Sequence, residues 1–269
     1  MKLIPNYQVK LIEKNNKHFY MVDDEPTLYP GPTTVLGIIN KPWLVPWASK
    51  ITANKIKEFL IENATGRILN HQEISELIKR AKKAPEKIKD ESADIGTRAH
   101  KAIDEIIKGN VPVIDGDIEF CVDGFIHWNR ENSLTIINGD LKLASLNYGY
   151  GGSLDALAVD HDGKLVVIDF KTSNQTSEEY ALQVASYCNA LKEQFNLSYM
   201  PKGVIARFSK SKIEIEIRFI ADINHSFECF KHALNLYVGM QINHYQSKEI
   251  LKPKKRGNKD EANKKENGV

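Results

Sequence analysis

Two carboxylates and an amine stand close together in the segment GGSLDALAVDHDGKLVVIDFKTS, Gly151 to Ser173. Apolar runs flank His161-Asp162-Gly163, and a three-residue connection whose glycine takes the left-handed position folds such a segment into a hairpin. If Asp160 pairs with Lys164, then Asp155 falls opposite Asp169. Strand alternation directs Asp155, Asp169 and Lys171 to one face and Leu154, Val166, Ile168 and Phe170 to the other. Like charges so opposed destabilise a sheet, because cross-strand Cβ atoms lie only about 4.5 to 5.5 Å apart. Two carboxylates with waters and a phosphate are what Mg2+ accepts as ligands, so the pair predicts a divalent-cation site that Lys171 neutralises only in part. The plain alternative is a surface hairpin with a solvated Asp/Lys face. The run Leu165 to Phe170 argues against it, since a strand this apolar is expected to be buried on both faces.

The elements that must hold this hairpin follow from periodicity. Residues 7 to 13 and 18 to 22 read as a small hairpin around Asn15 and Asn16, followed by a Pro/Gly-rich turn, Pro26 to Pro32. Helical periodicity runs through Lys50 to Leu60, Gln72 to Lys83, Ile95 to Ile107 and Phe120 to Asn132. Strand-like runs follow at Leu141 to Leu146, Ser153 to Val159, Leu165 to Phe170, Gly203 to Phe208 and Ile213 to Ile220. A helix over Glu178 to Gln194 interrupts them, with Ser177 as its expected N-cap, and an amphipathic helix over Ile223 to Tyr245 ends them. The expected fold is α/β, a mixed central sheet flanked by helices with a helical N-terminal subdomain. The expected division is an N-terminal flap at 1–32, one domain at 33–247 (helical over 33–110, α/β over 111–247), and a tail at 248–269.

Composition narrows the chemistry. The 269 residues carry 37 Lys plus Arg against 35 Asp plus Glu, a net charge of +2, so electrostatic binding must be local. Hydrophobic residues at 42% suffice for a core and exclude a disordered chain. Cys121, Cys188 and Cys229 lack any CxxC spacing, which argues against a disulfide framework, a zinc ribbon or an iron–sulfur cluster. With no apolar h-region near the start and no apolar stretch of spanning length, a soluble cytoplasmic protein without a membrane partner is expected. The tail from Lys248 holds eight basic residues against four acidic ones and is expected to be disordered.

Asp155, a short hairpin and then Ile168-Asp169-Phe170-Lys171-Thr172 resemble the core of the PD-(D/E)XK nucleases. Gln183 and Tyr187 match the Q-x-x-x-Y element of the RecB-like branch, and Gly96-Thr97-Arg98-Ala99-His100 is similar to its G-T-x-x-H element. Thr33 to Leu36 with Trp43 and Trp47 is similar to the opening helices of phage-type exonucleases in this branch, including relatives of the mitochondrial genome maintenance exonuclease. The resemblance implies a restriction-endonuclease-like core and a metal-dependent DNA exonuclease. Mg2+ or Mn2+ would be held by His100, Asp155, Asp169 and the backbone carbonyl of Phe170, while Lys171 positions or deprotonates the nucleophile. Gln183 and Tyr187, at i and i+4, share a helix face and would orient a phosphate or the lysine. Tyr187 also fits an apolar stripe with Val184, Cys188 and Leu191. Asp104 and Glu105 read as a solvated face one turn beyond His100.

The implied partner is DNA, single-stranded or with free ends, in recombination, repair or phage DNA metabolism within a bacterial or phage-infected cell. The run Lys79 to Lys89 has six basic residues, among them Lys79, Arg80, Lys82 and Lys83, and would neutralise phosphates without reading sequence. A solvated helix end is its plain alternative. Trp43 and Trp47, at i and i+4, would either stack on unpaired bases or pack in the core, and core packing is the expectation. Two rival functions remain. One is a nuclease subunit of a complex with a helicase or recombinase, whose motor is a separate chain because no G-x-x-x-x-G-K-[ST] run occurs here. The other is a non-catalytic DNA-binding accessory module, against which the intact Asp155, Asp169 and Lys171 argue.

Overall fold

The computed structural model describes residues 4–14 and 17–241. The basic tail at 248–269, the Asn15–Asn16 turn and the end of the last helix beyond 241 lie outside the described residues. An N-terminal antiparallel sheet holds β1 (Val9–Lys14), β2 (Lys17–Val22) and β3 (Tyr29–Pro30). Three helices follow: α1 (Pro32–Leu36), α2 (Leu44–Asn63) and α3 (His71–Ile107). Helix α4 (Glu119–Glu131) leads into β4 (Thr135–Ser145), β5 (Tyr150–Val159) and β6 (Leu165–Lys171). Helix α5 (Glu179–Gln194), β7 (Lys202–Phe208), β8 (Ile215–Phe219) and α6 (Ile223–Met240) complete the order. Strands β4 to β8 lie in sequence order in one sheet, antiparallel except for the β6–β7 pair. A parallel pair needs a crossover, and α5 supplies it. This is the α/β architecture expected, a five-stranded mixed sheet with helices on both faces.

One apolar cluster joins Leu157, Leu165, Val167 and Ile205 to α5 and α6. The other joins Ala156, Ala158, Val166, Ile168 and Phe170 to α3 and α4. Every residue of β6 from Leu165 to Phe170 is buried, as the unbroken apolar run requires. The β5–β6 turn forms because Asp160 Oδ1 accepts the N–H groups of Asp162 (3.0 Å) and Lys164 (2.8 Å) while Gly163 takes φ 73°.

Four expectations change. The helices expected over Gln72–Lys83 and Ile95–Ile107 are one helix of 37 residues with Pro85 inside it. An Asn70/Glu73 capping box starts it, and Leu77 and Ala81 near one end and Ala99, Ala102 and Ile103 near the other are buried, so packing at both ends offsets the hydrogen bond that Pro85 removes. The basic run is therefore the solvated middle of a long helix rather than an end. Ser177 does not cap α5; its N-cap is Glu178 in helical conformation, with no side-chain cap. Trp43 is 60% exposed at the start of α2, a helix with no buried residue, so core packing does not explain it. Strand β4 begins at Thr135 rather than 141, with an irregularity between Ile136 and Asn138 that hides its alternation.

Candidate active site

The register of the β5–β6 hairpin is as expected, with Ala156 paired to Ile168 and Asp160 N–H donating to the Lys164 carbonyl at 3.0 Å. The ladder ends at Ala156↔Ile168, one step before Asp155 and Asp169 would face each other. Instead the Phe170 N–H donates to Asp155 Oδ2 at 2.7 Å, so the Asp155 side chain takes the place of a backbone partner. On its other side β5 steps over the same residue, pairing Gly139↔Ala156 and then Leu141↔Leu154, with Asp140 at φ 45° across from Asp155. Strict alternation fails here. Leu154 joins the α5 cluster with Leu157 rather than facing away with Ile168 and Phe170. The kink sends the Asp155 carboxylate toward the α3 side and keeps it out of direct opposition to Asp169.

Helix α3 brings His100, whose Nδ1 lies 3.0 Å from Asp155 Oδ1. Gly96 makes this approach possible, because a Cβ there would sit 3.2 Å from Thr172 Oγ1 just beyond β6. Arg98, between them in sequence, has a separate task and ties α3 to the segment before α4 through Asp94, Asp115 and Asp117. Asp104 is not on a solvated face. It pairs with Lys108, and its Oδ1 is buried against the Gly139 backbone without a hydrogen-bond partner.

Helix α5 brings the remaining groups. Lys171 Nζ lies 2.5 Å from Asp169 Oδ2 and donates to Gln183 Oε1 at 3.2 Å. Gln183 Nε2 in turn donates to the Tyr187 hydroxyl at 2.7 Å. The i, i+4 spacing thus makes a hydrogen-bonded relay ending on the lysine. Tyr187 serves packing as well, with its ring among Val184, Cys188 and Leu191. The Tyr180 ring, which no motif indicated, lies with its centroid 4.7 Å from Lys171 Nζ.

Burial, reinforced by Asp155, pushes the Asp169 carboxyl up to about 6 despite the nearby Lys171 ammonium. Burial works against the charged form of His100, but Asp155, by charge and hydrogen bond, more than reverses it and raises the imidazole above its ordinary value. Burial likewise opposes the Lys171 ammonium, and Asp169 and Asp155 outweigh it, holding the group protonated. Two carboxylates, an imidazole and an ammonium therefore share protons and charge at one end of β5 and β6.

These donors suit a hard divalent cation in kind and in charge, for Asp169 Oδ2 is buried without an aligned hydrogen-bond donor beside a second carboxylate. Among the described residues no three His, Cys, Asp or Glu side chains converge as a ready-made cage. Asp155 is turned to His100 and the Phe170 N–H, and Asp169 to Lys171. Lys79, Arg80, Lys82 and Lys83 are exposed on α3, Arg80 pairing with Glu76 at 3.1 Å. At about 1.5 Å per residue they stand roughly 25 to 32 Å along the helix from His100, so they do not join the cluster. A cleft of about 420 Å3 lined by Ile39, Trp43, Glu179 and His225 adjoins the start of α5 without including the clustered groups. All three cysteines are free, and among the described residues no helix is long and apolar enough to cross a membrane.

No family model and no curated protein matches the sequence. Among solved structures, SSO0001 is similar over 72% of this chain and 88% of its own, at 16% identity and a TM-score of 0.32. A candidate exonuclease from Eubacterium rectale is similar over 59% and 77%, at 9% identity and a TM-score of 0.40. An alkaline exonuclease from Laribacter hongkongensis is similar over 79% and 91%, at 13% identity and a TM-score of 0.35. Likeness at this level carries no function, which is argued from the side chains alone.

Proposed function

We propose that this protein is a divalent-metal-dependent deoxyribonuclease of the PD-(D/E)XK type, an exonuclease acting on single-stranded or broken-end DNA. The observation that carries the reading is the junction of Asp155–His100 with Asp169–Lys171 at the splayed end of β5 and β6, with Lys171 tethered through Gln183 to Tyr187. A purely structural ion pair would not bury a second carboxylate beside the first. Asp155, Asp169, His100 and the Phe170 carbonyl would hold Mg2+ or Mn2+. Bound there, the cation supplies charge to the phosphoryl oxygens and a more acidic water.

The chain's own groups do the rest. Lys171, held protonated, is suited to orienting a phosphate oxygen or the attacking water rather than to removing a proton from it. Gln183 presents its carbonyl to the ammonium and so leaves the positive charge uncompensated for the substrate. His100 keeps the Asp155 carboxylate turned to the α3 side. The exposed cations of α3 would meet phosphates several nucleotides from the scissile bond, an arrangement that adds affinity without sequence preference.

The test is digestion of end-labelled linear and circular DNA, single-stranded and duplex, with Mg2+ or Mn2+. Release of mononucleotides or short products from linear substrates only is expected. Cleavage of circles would replace the exonuclease reading with an endonuclease, and no cleavage of any substrate would remove the nuclease reading.

The role of His100 has its own expected outcome. Magnesium tolerates lost ligands poorly, whereas manganese accepts imidazole and irregular shells more readily. His100→Ala should therefore lower Mg2+-supported cleavage about tenfold and Mn2+-supported cleavage about threefold or less, in line with losses at metal-supporting residues. Equal losses with both ions, together with a lower melting temperature, would make His100 a structural partner of Asp155 only.

A further inference from the structure

We propose that Tyr180 is a positioning residue for Lys171, its aromatic face fixing the ammonium without neutralising it; this reading deepens the proposed hydrolysis and takes its kinetic consequence from it. The Lys171 ammonium has three immediate neighbours: Asp169 Oδ2 at 2.5 Å, Gln183 Oε1 at 3.2 Å and the Tyr180 ring centroid at 4.7 Å. A cation within about 6 Å of a ring centroid is attracted by the negative face of the π-system, and more strongly where water is scarce. Water is scarce here, since the Lys171 side chain is only 16% exposed.

The ring is itself held in place. Tyr180 lies in the first turn of α5, three residues before Gln183, so both side chains project from one helix face. Its N–H donates to the Ser177 carbonyl at 3.1 Å, and its hydroxyl lies 3.4 Å from Ser173 Oγ, which donates to the Gln175 carbonyl at 2.8 Å. The ring edge is thus pinned to the loop that follows β6, and its body packs beside the α5 cluster.

What the ring contributes differs from what a third carboxylate would. An anion in this place would saturate the ammonium and compete with a phosphate for it. A π-face narrows the directions open to a flexible four-carbon side chain yet leaves its charge available. The task falls on the ring and not on the phenol, and this separates the proposal from a hydrogen-bonding role.

The experiment compares the full chain with its Tyr180→Phe and Tyr180→Leu variants in two measurements. The first is the NMR position of the Lys171 ε-methylene resonance in protein with 13C-labelled lysine, assigned by its loss in Lys171→Met. An upfield ring-current shift is expected in the parent and in Tyr180→Phe and should vanish in Tyr180→Leu. The second is the rate of cleavage of linear single-stranded DNA with Mg2+. Tyr180→Leu should lower kcat about fivefold to tenfold, the latter being 1.4 kcal/mol of barrier, with KM changed less than about twofold. Tyr180→Phe should restore kcat to within about twofold, less than 0.5 kcal/mol. A Tyr180→Phe variant as impaired as Tyr180→Leu would assign the effect to the hydroxyl and overturn the proposal. So would a lysine resonance with no ring-current shift in the parent. If the parent cleaves no DNA, the nuclease reading falls, and the resonance alone decides whether the ring holds the lysine.

Discussion

Asp169→Asn is expected to remove DNA cleavage by about 10²- to 10⁴-fold, the range found when a group that acts on a transition-state proton or charge is deleted. The substitution keeps the side chain's shape inside a strand end where Asp169 is only 2% exposed. Lys171 keeps the Gln183 carbonyl and the Tyr180 face, so the ammonium is not left alone. The melting temperature should accordingly move by no more than roughly 3 °C. Lys171→Met is expected to be equally inactive for a different reason. It leaves Asp169 beside Asp155 without a cation, and a carboxyl that already holds its proton up to about 6 will hold it higher still. Because the two groups act as a unit, the double variant should be no worse than either single one. Cleavage lowered by less than about tenfold in Asp169→Asn, with folding intact, would take Asp169 out of the chemistry.

The parts of this site that the sequence disclosed are those governed by a fixed period. The pairing of Asp160 with Lys164 follows from turn chemistry, because one aspartate can bond the N–H groups after it and one glycine can adopt φ 73°. The Gln183–Tyr187 bond follows from helix spacing. What alternation could not disclose is its own failure. Asp155 lies where β5 departs from regular pairing on both sides, so a two-residue period put Leu154 on the wrong face and set Asp155 against Asp169. Tyr180 was invisible for the complementary reason, since aromatic contact with Lys171 depends on how α5 docks across β6 and not on any spacing along the chain. The continuity of α3 through Pro85 likewise depends on packing at its two ends, which local propensity does not register. The paired glycines Gly151 and Gly152 looked like a turn signal, and they lie inside a strand.

Gly152→Ala is the change expected to damage both fold and site. A Cβ at this position would fall 2.4 Å from Cε1 and 2.8 Å from Cδ1 of Tyr187, distances that only a movement of the ring can relieve. The ring has little room, because Val184, Leu191 and Leu154 are fully buried in the cluster around it. Overpacking of this kind costs about 1 to 3 kcal/mol, and in a chain of this size that is a fall in melting temperature of roughly 3 to 10 °C. The displaced hydroxyl would also release Gln183 Nε2, and with it the orientation of the carbonyl that faces Lys171. Cleavage should fall by about thirtyfold, roughly 2 kcal/mol. Gly151→Ala is the matched comparison. Its Cβ would meet Tyr20 at 2.3 Å in the N-terminal sheet, so it should destabilise to a similar degree while leaving the Tyr187–Gln183–Lys171 relay in place and the activity of the folded protein within about threefold, less than 1 kcal/mol. A second change separates the two consequences within the Gly152 variant. Adding Tyr187→Leu makes room for the new methyl and should recover most of the lost stability. It cannot restore a hydroxyl to Gln183, so the activity should stay low. If the double variant regains cleavage along with its melting temperature, the relay does not orient Lys171, and Gly152 matters only as space for a ring.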